Sequence, residues 1–407
     1  MYFNQCPKDK YSWAFNRITT MGYHVAIFSP DLNLGGAQRV TVNLANGLSN
    51  RGYDVDFIMP IKQGELFDDI SETVEMVFLR KDFWPVIGSI SCVPDYKRYL
   101  EREKPDVILS QRTHGNVISI LATKVAKHQF PIAVTEHTWY DRADNLKDKI
   151  TLSLANILYN QSDAVVCVSE GVARSVISTA RVSENKLWKI PNPLEIKSIV
   201  EQSLEPLDHP WFKDDELQVI LAAGRLEPVK NFSLLVEAFR NIHQNNQQAR
   251  LVILGDGNEQ EHLQSQLEMY GLENVAELPG HVNNPYKYMR NADVFVLTSI
   301  YEGFGNVLIE AMASGCPVVS TNNSSGPVEI LDEGKYGTLV KSDPTQICKE
   351  IENTLASPVN QEMLLERAYD FTPEVILNDY EHLIQTLIQD NVNKINNSTS
   401  TVSRVRR

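Results

Sequence analysis

Apolar positions along the chain fall into short runs, separated by longer stretches in which they recur every three or four residues. In the first half the runs are Gly22-Tyr-His-Val-Ala-Ile-Phe-Ser29, Asp106-Val-Ile-Leu-Ser110, Ile132-Ala-Val-Thr-Glu136 and Asp163-Ala-Val-Val-Cys-Val-Ser169. Their counterparts in the second half are Leu217-Gln-Val-Ile-Leu-Ala-Ala-Gly224, Arg250-Leu-Val-Ile-Leu254, Val275–Leu278 and Asp293-Val-Phe-Val-Leu-Thr298. Near-continuous Val/Ile/Leu runs suit strands covered on both faces. Val40–Leu48, Gly115–Lys127, Glu170–Thr179, Phe232–Asn241 and Asn306–Ser314 predict helices between them. This alternation predicts parallel sheets flanked by helices, a doubly wound α/β fold.

A chain of 407 residues divides naturally into two such units. The pattern assigns 1–20 to an N-terminal extension, 21–200 to a first Rossmann-like domain and 201–216 to a linker bearing Pro206 and Pro210. It assigns 217–360 to a second Rossmann-like domain, 361–390 to closing helices interrupted by Pro373, and 391–407 to a flexible Asn/Ser/Thr-rich tail. Met21 directly precedes the first strand, so the extension is expected to be dispensable.

Composition narrows the function classes. No run approaches the ~20 apolar residues of a spanning helix, and no segment has the layout of a signal peptide. The 5 cysteines are scattered without C-x-x-C spacing, which disfavours a disulfide framework or a zinc site and predicts a cytoplasmic protein. The net charge of −14 is uneven: residues 21–200 hold 20 basic and 21 acidic side chains, residues 201–407 hold 15 and 30. The acidic half cannot attract an anion by its overall field, so local cations must hold any phosphate there. Nucleic-acid binding gains no support from this balance.

The densest chemistry lies in Tyr301-Glu-Gly-Phe-Gly-Asn-Val-Leu-Ile-Glu310, between a strand and a helix. A helix start offers unpaired N–H groups and a positive dipole end. Gly303 and Gly305 allow close approach to the main chain, and Glu302 and Glu310 can accept hydrogen bonds from sugar or ribose hydroxyls. An ordinary βα connection with two surface glutamates would look the same. Asn33-Leu-Gly-Gly-Ala-Gln-Arg39 places Gly35 and Gly36 after the first strand in a comparable loop. Arg225 and Lys230 follow the first strand of the second half, at a spacing that lets both reach one diphosphate. Asp54-Val-Asp56 spells a metal-binding D-x-D, but Val55, Phe57 and Ile58 make it a strand, so the aspartates read as solvated and no metal is expected. Gly255-Asp-Gly257 opens like a dinucleotide fingerprint, but Gln260 stands where its third glycine belongs. His137 sits at a strand exit, where a βα loop opens into a cleft. His114 and Asn116 follow another strand end. Residues 80–104 combine Phe83 and Trp84 with six basic and four acidic residues, a pattern shared by a membrane-docking surface and a solvated helix.

Together, Gly224-Arg-Leu-Glu-Pro-Val-Lys-Asn231, Glu302 with Glu310, and Ser325-Gly-Pro-Val-Glu-Ile330 resemble the retaining glycosyltransferases of family four. That family has the GT-B architecture, and Glu302 and Glu310 match its E-x7-E motif. The resemblance runs from about Tyr23 to about Leu339 and implies two Rossmann-like domains facing across a cleft, the last helix crossing back to the first domain. It implies a nucleotide-sugar donor, UDP-linked by expectation, and a glycan or lipid-linked acceptor, with no cofactor and no metal. It implies a catalytic group of His137, Glu302, Arg225 and Lys230. Donor contacts would come from Gly35, Gly36, the backbone at His281 and Val282, Gly303, Phe304, Gly305, Asn306, the amides near Val307 and Leu308, and Glu310 at the ribose. His114 and Asn116 would face the acceptor, and Asn192 would lie near the cleft in a structural role. The expected location is the cytoplasm, at the inner face of the cell membrane. A sugar-nucleotide epimerase, a phosphorylase using pyridoxal phosphate, and a non-catalytic sugar-nucleotide sensor are the competing readings.

Overall fold

The computed structural model describes residues 22–80, 91–138, 146–357 and 359–405. The apolar runs become strands. β1 (His24–Phe28), β2 (Asp54–Met59), β3 (Glu75–Phe78), β4 (Val107–Gln111), β5 (Ile132–Glu136), β6 (Ala164–Cys167) and β7 (Leu187–Lys189) pair in parallel, in the order β3-β2-β1-β4-β5-β6-β7. The helices of this half are α1 (Gly36–Asn50), α2 (Val93–Glu103), α3 (Thr113–Val125), α4 (Leu146–Leu158), α5 (Glu170–Ala180) and α6 (Ile196–Ser203).

The second sheet contains β8 (Gln218–Ala223), β9 (Ala249–Leu254), β10 (Ala276–Gly280), β11 (Val294–Leu297), β12 (Val318–Thr321) and β13 (Thr338–Val340), in the parallel order β10-β9-β8-β11-β12-β13. Its helices are α7 (Phe232–Asn245), α8 (Gln260–Tyr270), α9 (Tyr286–Asn291), α10 (Asn306–Ala313), α11 (Ser325–Ile330) and α12 (Pro344–Ala356), followed by α13 (Gln361–Tyr369) and α14 (Pro373–Val405). The chain is thus two Rossmann-like α/β domains. Each sheet reverses its winding once, at β1/β4 and at β8/β11. Crevices for ligands open beyond the strand ends at such points. The exits of β1, β8 and β11 carry Gly35-Gly36, Arg225–Lys230 and Glu302–Gly305 respectively.

Pro373 begins α14 rather than kinking it, as suits a residue without an N–H. Ile376, Leu377, Tyr380, Leu383, Ile384 and Leu387 of this helix are buried in the first domain's core beside Ile27, Leu44, Val55 and Phe57. Burying each such side chain contributes on the order of 2 kcal/mol. Gly47 of α1 permits the crossing, since a Cβ there would lie 2.4 Å from Leu377 Cδ1.

The segment expected to be a tail is helical as far as it is described, because α14 continues through residue 391 to Val405. No Gly or Pro follows Pro373 within it, and Asn, Ser and Thr each cost only about 0.5 kcal/mol relative to Ala in a helix. Lys394 Nζ lies 2.8 Å from Asp163 Oδ1 and ties the extension to the first domain. Asp54-Val-Asp56 lies in β2 as expected, but Asp56 is buried rather than solvated. It pairs with His24 Nε2 at 3.0 Å and accepts from the Tyr99 hydroxyl. In 80–104, Arg80 and Arg98 both pair with Asp95, Lys97 pairs with Glu101 and Arg102 with Glu103, while Tyr96 and Tyr99 are core residues. Among the described residues, that part is a helix packed over a hydrophobic cluster, its basic side chains paired with acids. Lys81, Phe83, Trp84, the 1–20 extension and Met21 lie outside the described residues.

Candidate functional site

Two helix N-termini meet where the domains face each other. Gly35 precedes α1 without a side-chain cap, and no acid occupies that helix's first turn. Gly305 precedes α10 in the same uncapped, acid-free way. Its φ of +105° is in the region that favours glycine. A Cβ on Gly36 would lie 3.7 Å from Asn306 Nδ2, so the two starts are in contact distance across the cleft. Asn306 also accepts from Asn192 Nδ2 at 2.9 Å. Sequence reasoning did not find what shapes the first of these loops. Asp31 accepts from Arg112 Nη1 at 2.7 Å and from Gln38 Nε2 at 2.8 Å, and Arg112 has a left-handed φ of 67° at the start of α3. A non-glycine residue in that region costs about 1 kcal/mol or more, which the Asp31 contacts offset.

In the second domain, Lys230 Nζ donates to Glu302 Oε1 at 2.5 Å, and Ser299 Oγ donates to the same oxygen at 2.7 Å. The Glu302 N–H donates to Ser324 Oγ at 3.1 Å. Arg225 is exposed directly after β8 and forms no ion pair among the described residues. The Leu308 amide departs from expectation: it donates to Gly305 O at 2.9 Å, leaving the amides of Asn306 and Val307 for a ligand. The Phe304 side chain is core, packed edge-on against Phe371, so only its backbone can serve a ligand. Gly255 and Gly257 pack against the carbonyls of Gly224 and Leu226, so the Gly-Asp-Gly turn buttresses the Arg225 loop. The same turn's Asp256 Oδ1 accepts the His281 N–H at 3.0 Å, which occupies that donor, while Val282 packs partly buried against the core.

Glu310 lines a cavity of about 280 Å³ together with Gly36, Arg39, Asn43, Tyr286 and Asn306. Burial raises its carboxyl to about 7, with Arg39 and then Lys230 pulling it back. Arg225, Lys230 and Glu302 are not in this lining. They lie nearer the β8 and β11 exits.

On the first domain's side the His137 ring is almost wholly buried, with Nε2 2.9 Å from Gln111 Oε1. Burial, then Arg112, depress it to about 4, so it is a neutral imidazole at pH 7. Its carbonyl, rather than its ring, meets the second domain: a Cβ on Gly303 would lie 1.9 Å from His137 O. Asn116 is not on the acceptor side. It is fully buried and reaches Thr135 O, Glu136 Oε1 and the Tyr159 hydroxyl at 3.0, 3.2 and 2.9 Å. Its helix periodicity turns it inward, under β5. His114 is half-buried in the first turn of α3. Glu136, which the sequence did not single out, accepts from Tyr159, Thr113 and Asn116, and burial raises its carboxyl to about 7.

Two family models match this chain. Residues 34–197 match "Glycosyltransferase Family 4" and residues 205–371 match "Glycosyl transferases group 1". The chain belongs to the family-four glycosyltransferases. Over 200 residues it is 32% identical to an N-acetylgalactosamine-N,N'-diacetylbacillosaminyl-diphospho-undecaprenol 4-alpha-N-acetylgalactosaminyltransferase of Campylobacter jejuni, covering 49% of this chain and 52%, about half, of that relative. It is 24% identical over 357 residues to an amylovoran biosynthesis glycosyltransferase of Erwinia amylovora, covering 86% of this chain and 96% of that one. Among solved structures, Anabaena HepE in complex with UDP superposes with a TM-score of 0.71 at 19% identity, covering 89% of this chain and 100% of that one. Sucrose-phosphate synthase of Thermosynechococcus elongatus gives 0.75 at 20% identity, with 90% and 100% covered. These structural likenesses establish the GT-B fold of this family-four chain.

Proposed function

We propose that this protein is a retaining glycosyltransferase that moves a hexose or N-acetylhexosamine from a UDP-sugar to a glycan or lipid-linked oligosaccharide, in cell-surface polysaccharide synthesis. The observation that carries the reading is the meeting of two uncapped helix N-termini, one from each domain, beside Glu310, whose carboxyl also feels the charge of Lys230. Such a junction suits a diphosphate flanked by hydroxyls. The UDP of the HepE complex and the diphospho-undecaprenol acceptor in the Campylobacter relative's name support the choice of donor and acceptor.

In this reading Glu310 accepts from the ribose hydroxyls, and the amides of Asn306 and Val307 meet the phosphates. Arg225 and Lys230 neutralise the diphosphate as it leaves. Lys230 is paired with Glu302 at 2.5 Å, so turning toward the phosphate frees that carboxylate for the sugar hydroxyls. The amides of Phe304 and Gly305 orient the same sugar, and His137 backs the loop from the other domain. The departing phosphate takes the acceptor's proton on the face it leaves, so the anomeric configuration is retained. The two cations supply the positive charge, and no metal is needed for that task. The enzyme works in the cytoplasm at the inner membrane face, where a lipid-linked acceptor would present its sugar.

A thermal-shift screen against UDP-, GDP-, ADP- and TDP-sugars tests the donor, followed by UDP release with and without a polyprenyl-diphosphate-linked sugar and NMR of the product's anomeric proton. Stabilisation by a UDP-sugar and an axial-to-axial outcome are expected. Inversion would overturn the mechanism. Conversion of the donor sugar to its epimer without acceptor would replace transfer with epimerisation.

A further inference from the structure

We propose that Glu329 is a positioning residue for the transfer: it draws α5 of the first domain onto α11 of the second and so fixes the seam beside Glu302. The Glu329 Oε1 accepts the backbone N–H of Glu170 at 2.8 Å, and Oε2 lies 3.5 Å from Lys189 Nζ. One turn earlier in α11, Ser325 Oγ accepts the Gly171 N–H. The carboxylate therefore sits at the start of an 11-residue helix from the other domain. That is where unpaired amides and the helix dipole favour a negative charge.

The same turn of α5 reaches the reaction loop. Its cap, Ser169, accepts from the Val172 N–H at 3.3 Å and donates to Gly303 O at 2.6 Å. Gly303 adjoins Glu302, and its other side is packed against His137 O. The end of α11 is anchored independently, by Arg367 Nη2 on Glu329 O at 2.8 Å and Arg367 Nε on Ile330 O at 2.9 Å. Glu329 thus links a fixed point in the second domain to the cap that grips Gly303. It touches no reacting atom. Its effect falls on the registration of the two halves of the site, so turnover should depend on it more than donor affinity does. This rests on the reading that transfer takes place beside Glu302 and Lys230.

Two substitutions attack the link from opposite sides. Glu329→Ala removes the acceptor. Glu170→Pro removes the donor N–H at the first position of a helix, where proline is favoured, after a Ser169 that is already extended at φ −153° and ψ 164°. UDP affinity is read by calorimetry, and turnover by UDP released from UDP-glucose, UDP-galactose and their N-acetyl forms. Each variant is expected to lose about 10-fold or more in kcat while its UDP Kd stays within about 3-fold of the unaltered protein. The double variant should be no worse than the poorer single one, and Glu329→Gln should retain more turnover than Glu329→Ala. Unchanged kcat in both single variants, or losses that multiply in the double variant, would overturn the proposal. If the unaltered protein does not bind UDP, the donor-site reading falls, and this one with it.

Discussion

Gly303→Ala isolates the contact between the two domains at the reaction loop. A Cβ at Gly303 would lie 1.9 Å from His137 O, 2.8 Å from His137 C and 3.1 Å from Thr138 Cα, whereas real Cβ contacts essentially never fall under 3.0 Å. The obstacle is backbone, so no rotamer change relieves it. The seam must open by about 1 Å, and the Glu302 loop moves with it. Gly303 lies outside the left-handed region, so alanine brings no backbone strain of its own there. A 1 Å misplacement of groups around a reacting centre can cost about 100-fold in rate, close to 3 kcal/mol. The expected result is a kcat about 100-fold lower, with UDP affinity changed far less, because the amides of Asn306 and Val307 stay in the second domain. Steady-state UDP release and calorimetry on the same preparation measure both. Gly305→Ala is the contrast. Its Cβ would meet nothing closer than 3.7 Å, but its φ of +105° makes the substitution strained. That variant should lose about 1 kcal/mol or more of stability. A Gly303→Ala enzyme with unaltered kcat would show that the seam has no bearing on turnover.

Lys230→Ala and Arg225→Ala should each lower kcat by about 100- to 1,000-fold if they carry the leaving group's charge, read by UDP release under saturating donor. Rates within 2- or 3-fold of the unaltered enzyme would remove them from that role. Glu136 gives a pH dependence. Burial raises its carboxyl from 4.5 to about 7, so the folded chain binds the extra proton between those values and loses stability as pH rises through that window, by up to about 3 kcal/mol. Glu310 acts in the same direction, so the test is the difference: denaturant unfolding at pH 5 and pH 8 should show a flatter profile for Glu136→Gln. Asn116→Ala should lower stability by about 2 kcal/mol or more, because it leaves the Glu136 and Tyr159 groups short of a buried partner. Ending the chain after Asp390 removes the exposed Lys394–Asp163 pair and should change the unfolding midpoint little, about 1 kcal/mol at most.

The strands and their alternation with helices were legible because buried parallel strands leave continuous apolar runs, as Val107–Leu109 and Leu251–Leu254 do. The exits of β1, β8 and β11 were legible for a related reason, since glycines and cations cluster there in local stretches. Errors arose where a residue's meaning depends on a partner far away in sequence. Asp56 reads as a solvated strand aspartate until His24 and the Tyr99 hydroxyl are seen beside it. Asn116 reads as a strand-end polar residue until the helix turns it under β5 toward Glu136 and Tyr159. The tail's polar composition hid its helix, which α14, already packed on the first domain, carries on to Val405 without meeting a Gly or Pro.

The least legible part is the seam itself, and it consists mostly of backbone. The carbonyls of His137 and Gly303, and the amides of Glu170 and Gly171, make contacts that no side-chain pattern announces. This bears on how an acidic second domain could hold an anion. Its long-range field opposes a diphosphate, and only Arg225 and Lys230 were evident in the sequence as local cations. The uncapped starts of α1 and α10 add positive backbone dipoles from both domains, without any formal charge for composition to record. Those dipoles act within about a turn of the helix end, so their benefit depends on keeping the domains in register. An α10 start acting alone would offer only half of that field. The packed seam and the anion-binding junction are therefore expected to work as one device, and loosening the first should weaken the second only when the domains separate by more than a single contact distance.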